Sequence, residues 1–142
     1  MPQLDCSVAD SIRASFAKQN FLLTFGAQLT HIGIGHVEIE APVTDAALNQ
    51  HNFAHAGLAF AIGDTAAGYA AQTYLTAGSD VLTVELKVNY LAPAAGQTLR
   101  AVGTVIRSGR RITVVSDEVF AIDGDTQSKV AMLQGTMLPL AK

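Results

Sequence analysis

From residue 81 to residue 91 apolar and polar side chains alternate. Leu82, Val84, Leu86, Val88 and Tyr90 fall on one face; Thr83, Glu85, Lys87 and Asn89 fall on the other. A period of two predicts a half-buried strand. Three more strands are expected at 98–107, 111–122 and 127–138, after turns at Pro93–Gly96, Ser108–Gly109 and Asp123–Gly124–Asp125. Turn residues at such short spacing predict three successive hairpins, an antiparallel meander of four strands. Upstream the period changes. Val8, Ile12 and Phe16 stand four residues apart and predict a short amphipathic helix over 7–18. Residues 28–43 mix Ile32, Ile34, Val37 and Ile39 with His31, His36, Glu38 and Glu40 and read as one long strand. A polar loop at 44–54 separates it from a long apolar run at 55–75, which is too long for a strand and predicts the main helix, ended near Gly78.

Helix, strand, loop, long helix and four strands make an α+β chain, one domain over 1–142, with a sheet of five to six strands curled round the long helix. Between Ala56 and Ala71 that helix carries ten Ala or Gly residues. Glycine costs a helix interior about 1 kcal/mol relative to alanine, so the small residues make sense where sheet and helix backbones approach closely.

Composition narrows the function. The 142 residues are 49% hydrophobic and 15% charged, a low surface charge that predicts a face covered by a second copy of the chain. The net charge of −3 argues against nucleic acid and anionic membranes as partners. Residues 1–13 contain Asp5 and Asp10 and no apolar core, so no secretory leader is expected there. The longest apolar run is broken by Asp64 and is not expected to span a membrane. The single Cys6 fits a reducing, cytoplasmic setting, and the scattered histidines offer no metal-ligand spacing.

Asp64 is the only formally charged residue from Ala46 to Ser79. Its helical neighbours at three, four and seven positions are Gly57, Phe60, Ala61, Ala67, Gly68 and Ala71. An ionised carboxylate in such company must be hydrogen-bonded, paired, protonated or turned to a wet cavity. Sites of that kind suit acid–base chemistry, although a carboxylate that merely anchors a loop fits the same pattern. Just upstream, Asn49, Gln50, His51, Asn52 and His55 crowd the start of the helix. The free N–H groups of a first turn can hold a developing oxyanion, or can simply be capped by these side chains. Ala56 and Asp64 are eight residues apart, about 12 Å along a helix. If both serve one reaction, they must come from two subunits related by a twofold axis.

Taken together, Asn49-Gln-His-Asn-Phe-Ala-His55-Ala56-Gly57, then Asp64-Thr65, then Val88-Asn89-Tyr90-Leu91-Ala92-Pro93, resemble the phenylacetate-pathway (PaaI-like) branch of the hotdog-fold acyl-CoA thioesterases. The likeness extends over about residues 25–140. It implies the hotdog fold, no cofactor, an acyl-CoA substrate, and a homodimer or dimer of dimers. It also implies roles: Asp64 as general base on water, or as a nucleophile, with Asn49 and Thr83 placing that water. The N–H of Ala56, helped by His55 and followed by Gly57, would polarise the thioester carbonyl. The family's usual His-Gly-Gly reads His55-Ala56-Gly57 here, which keeps the backbone donor and predicts a tighter acyl pocket. Relatives with a Thr one turn after the carboxylate have no counterpart, since that position is Gly68. The Asp–His pair of hotdog hydratases is excluded by Tyr69. A non-catalytic acyl-CoA or lipid-binding module is the competing class, and its expected mark would be loss of the carboxylate.

Arg107, Arg110 and Arg111 bracket the Ser108–Gly109 turn and hold three of the nine basic residues. Arginine suits phosphate, so a coenzyme A contact and a solvated hairpin tip are both open readings.

Overall fold

A computed structural model describes residues 2–140. Helix α1 spans Cys6–Phe16 and α2 spans Asn20–Thr24. Strands β1 (Gln28–Gly33) and β2 (His36–Pro42) precede the long helix α3 (Ala56–Gln72). Four strands follow: β3 (Asp80–Tyr90), β4 (Thr98–Ser108), β5 (Thr113–Asp123) and β6 (Thr126–Leu140). The sheet is antiparallel, in the order β1-β2-β4-β5-β6-β3.

Helix α3 packs on one sheet face, with Leu58, Ala59, Ile62 and Ala66 buried against Ile39, Leu99, Ala101, Val119 and Leu133. The predicted close approach is present. A Cβ on Gly103 of β4 would lie 2.4 Å from the Ala66 carbonyl carbon, so only glycine lets the helix backbone settle at that point. Helix α1 opens on Asp5, whose Oδ1 accepts the Ser7 N–H at 2.8 Å, a side-chain cap for a free first-turn donor.

Three expectations change. The long strand over 28–43 is a hairpin: Gly35 takes φ +67° and folds β2 back on β1, a conformation open to glycine and strained for other residues. The four-strand meander is also corrected. β4, β5 and β6 form it, but β3 pairs with β6 at the far edge. The Pro93–Gly96 segment is a crossing rather than a hairpin turn. Its backbone is held elsewhere, Ala94 C=O accepting from Ala54 N–H at 3.1 Å and Gln97 C=O from Val43 N–H at 2.8 Å. Lastly, the alternation of β3 does not run through. Thr83 pairs with Met137 and Glu85 with Thr136, which leaves Val84 as an extra residue, a β-bulge. Beyond it Leu86 and Val88 turn to the core, whereas Leu82 and Val84 are 54% and 60% exposed. The five-residue α2 is too short to display a helical period.

Candidate active site

Asp64 lies two turns into α3, partly exposed, and its Oδ1 accepts a hydrogen bond from Thr83 Oγ1 at 2.7 Å. The Val84 bulge makes this possible, because it puts Thr83 on the inner face together with Leu86. Thr83 Oγ1 also lies 3.4 Å from the buried Met137 Sδ. Both Asp64 and Thr83 line a cavity of about 280 Å³ with Lys18, Gln19, Tyr69 and Gln72. The carboxylate that interrupts the apolar helix thus faces a polar recess, which resolves its cost without burying it.

The helix start forms a second group. His55 is the N-cap, and its Nδ1 accepts the Gly57 N–H at 2.8 Å. With Nδ1 accepting, Nε2 is the ring nitrogen left to donate. A Cβ on Gly57 would stand 2.9 Å from Nδ1, so Gly57 makes room for the capping ring, and its N–H is already engaged. The Ala56 N–H has no acceptor among the described residues. Asn49 is pinned by its Oδ1, which accepts the N–H groups of His51 at 2.9 Å and Phe53 at 3.2 Å; its Nδ2 remains as a donor. Asn49, Ala56 and Tyr90 line a cavity of about 300 Å³. Tyr90 donates to the Ala56 carbonyl at 3.3 Å, and burial pushes its phenol above the usual range.

Arg107, Arg110 and Arg111 are exposed at the β4–β5 turn and form no ion pair among the described residues. That turn is at the same end of the sheet as Thr83. Thr113 pairs with Met137, which pairs with Thr83, so two strand spacings, about 10 Å, separate them.

One carboxylate escaped the sequence reading. Asp117 on β5 is fully buried, and neither carboxyl oxygen has a partner among the described residues. A Cβ on Gly63 would meet its Oδ1 at 3.2 Å, which places it beneath the turn of α3 that carries Asp64. Burial first, then Glu118 and Asp64, push its carboxyl well above the usual range. The signal was available: Thr113, Val115, Asp117, Val119 and Ala121 alternate onto the inner face.

Asp117 has a measurable consequence. In the unfolded chain it ionises near 3.8, and in the folded chain it keeps its proton to higher pH. Below the unfolded value the group does not weigh against folding. As pH rises past that value the folded state binds the extra proton, and stability falls until the folded-state pKa is passed. The slope reaches at most about 1.4 kcal/mol per pH unit, roughly 4–5 °C in Tm for a chain of this size. Asp117→Asn keeps the shape without the titration, so its Tm should gain on wild type as pH rises from about 4. Parallel pH profiles of the two proteins would mean that Asp117 ionises freely when folded.

Comparisons with known proteins identify the family and the fold. Residues 51–128 match the Thioesterase superfamily model, a span that includes His55, Ala56, Asp64 and Thr83. A thioesterase family protein of Silicibacter pomeroyi superposes with a TM-score of 0.91 at 35% identity, covering 95% of this chain and 99% of that one. The E. coli PaaI protein from the phenylacetic acid degradation operon shares the fold at a TM-score of 0.85 and 24% identity, covering 97% and 96%. A Bacillus halodurans protein solved with CoA matches at a TM-score of 0.76 and 26% identity, covering 95% and 87%. Among the described residues no helix is long and apolar enough to cross a membrane. With its hotdog sheet wrapped on α3, the chain belongs to the Thioesterase superfamily and is a thioester hydrolase.

Proposed function

We propose that the protein hydrolyses an acyl-coenzyme A to the free acid and coenzyme A, in the cytoplasm, at a site completed by a second subunit. The observation that carries this reading is the 2.7 Å bond from Thr83 to Asp64 at the wall of a cavity. It orients a carboxylate toward solvent-sized space, where a water can be held for deprotonation. Asp64 takes the proton of that water while its oxygen attacks the thioester carbonyl carbon. The carbonyl oxygen becomes an oxyanion at the Ala56 N–H, while His55, which lines a separate cavity with Gly57, holds the helix start through its cap. Collapse of the tetrahedral intermediate breaks the C–S bond, and the thiolate leaves as the thiol with the proton that Asp64 took from water, which restores the carboxylate. Asn49, through Nδ2, steadies the water or the carbonyl from the loop.

Two features support a shared site. The Asp64–Thr83 cavity and the Asn49–Ala56 cavity have no lining residue in common. Strand β3 is an edge strand, and Leu82, Val84, Tyr90 and Leu91 on and beside it are exposed. An unpaired edge with that apolar content invites a second copy of the chain, and outward-facing Met132, Leu138 and Leu140 extend it toward a dimer of dimers. The CoA held by the Bacillus halodurans protein supports the nucleotide-bearing thiol as leaving group.

The test is thiol release from aryl, short and medium acyl-CoA esters, set beside the matching acyl-pantetheines. Silence on every ester would overturn the reading. Arg107, Arg110 and Arg111 are assigned to the coenzyme A phosphates. Changing all three to Ala should raise KM for acyl-CoA about tenfold or more with little change in kcat, because remote phosphate contacts act as uniform binding. Acyl-pantetheine should be indifferent to the change. Equal losses on both substrates would assign the arginines to the fold instead.

A further inference from the structure

We propose that Gly135 of β6 is a positioning residue: it leaves the space that the Val84 bulge needs, and the bulge turns Thr83 onto Asp64. This inference rests on the catalytic reading above and adds a residue to it. In a regular strand residues 83 and 86 face opposite ways. Here both face inward, Thr83 toward Asp64 and Leu86 toward the core. The extra residue between the Thr83–Met137 and Glu85–Thr136 pairs makes up the difference.

The cost of the bulge falls on position 135. Gly135 pairs with Leu86, and a Cβ built there would lie 2.2 Å from the Glu85 carbonyl oxygen, 2.7 Å from Leu86 Cδ1 and 2.9 Å from Leu86 Cα. The first and last of these are backbone atoms, so no rotamer change relieves the clash. An alanine must push β3 away from β6 within two residues of Thr83. The neighbouring inner positions of β6 carry side chains, Leu133 and Met137, both buried. The gap at 135 is therefore local to the bulge. Val84 itself points away from the core and is 60% exposed; its contribution is the added length of chain.

Gly135→Ala should lower kcat by about 10- to 100-fold, the scale of a reacting group displaced by an ångström, while KM for acyl-CoA stays within about twofold. The effect should vanish in a Thr83→Val background, since there is then no hydroxyl to misplace. Full activity of Gly135→Ala, or the same fractional loss with and without the Thr83 hydroxyl, would overturn the proposal.

Deletion of Val84 keeps the measurement decisive if Gly135→Ala folds poorly. Without Val84, residues 83 and 85 become neighbours, the alternation from 83 to 86 becomes regular, and the need for extra space opposite residue 135 goes with the bulge. In that background Gly135→Ala should cost little Tm. An undiminished loss of Tm would mean that position 135 is glycine for a reason unrelated to the bulge. This thermal comparison needs no substrate. If wild type released no thiol from any ester, the proposed function would fall while the Tm cycle still judged Gly135.

Discussion

Asp64→Asn is expected to slow thioester hydrolysis by about 10²- to 10⁴-fold with the fold and assembly unchanged, the range for loss of a general base. The amide oxygen can still accept the hydrogen bond from Thr83 Oγ1, so the 2.7 Å contact that fixes the side chain survives. What is lost is the capacity to take a proton from water. Asp64 is partly exposed and lines a polar cavity, so removing its charge leaves no buried charge unpaired. Tm and elution volume should therefore match wild type, and kcat should fall far more than KM changes. Turnover near the wild-type rate would remove Asp64 from the mechanism.

Much of this site was legible because its markers are local in the chain. A single charge in a long apolar helix and a cluster of Asn and His at the helix start are features of neighbouring residues, whereas Thr83 entered only through the family resemblance. The fold depended on more distant information. The Pro93–Gly96 segment looks like a hairpin turn, and nothing local announces that Ala54 binds its backbone at Ala94 or that Val43 and Ile122 bind the following Gln97. Strand β3 illustrates the limit best. Its alternation from Leu82 to Tyr90 is unbroken in sequence, yet the bulge inverts the first half so that a hydroxyl faces in and two large apolar side chains face out. The local pattern gives way there because the first half of the strand serves a cavity and an edge, and the second half serves the core. Asp64 and Asp117 form a similar contrast. The helix made Asp64 conspicuous, but the cavity leaves it partly exposed. Asp117, set among polar and apolar residues of a strand, is the carboxyl that is truly buried.

In the proposed mechanism Ala56 and Asp64 act on one thioester from positions on one helix that a single subunit does not bring together, and this leads to a second large effect. Ala56 opens α3 and Asp64 comes eight residues later, about 12 Å along the axis. Asn49 and Ala56 line one cavity, Asp64 and Thr83 another. With the site shared across a twofold axis, Asn49→Ala and Asp64→Ala homodimers each carry two damaged sites. A mixed dimer carries one site with both lesions and one site with neither. Equal amounts unfolded together and refolded should pair at random, so about half the dimers are mixed and roughly a quarter of wild-type activity returns. The recovery does not depend on how Asn49→Ala does its damage. Loosening the 49–53 loop, which Asn49 Oδ1 holds through the His51 and Phe53 N–H groups, still confines the lesion to the subunit that contributes the loop. Differently tagged chains would establish that exchange is complete. Activity that then stays at the level of the separate variants would place both groups in one chain, and the shared site would have to be abandoned.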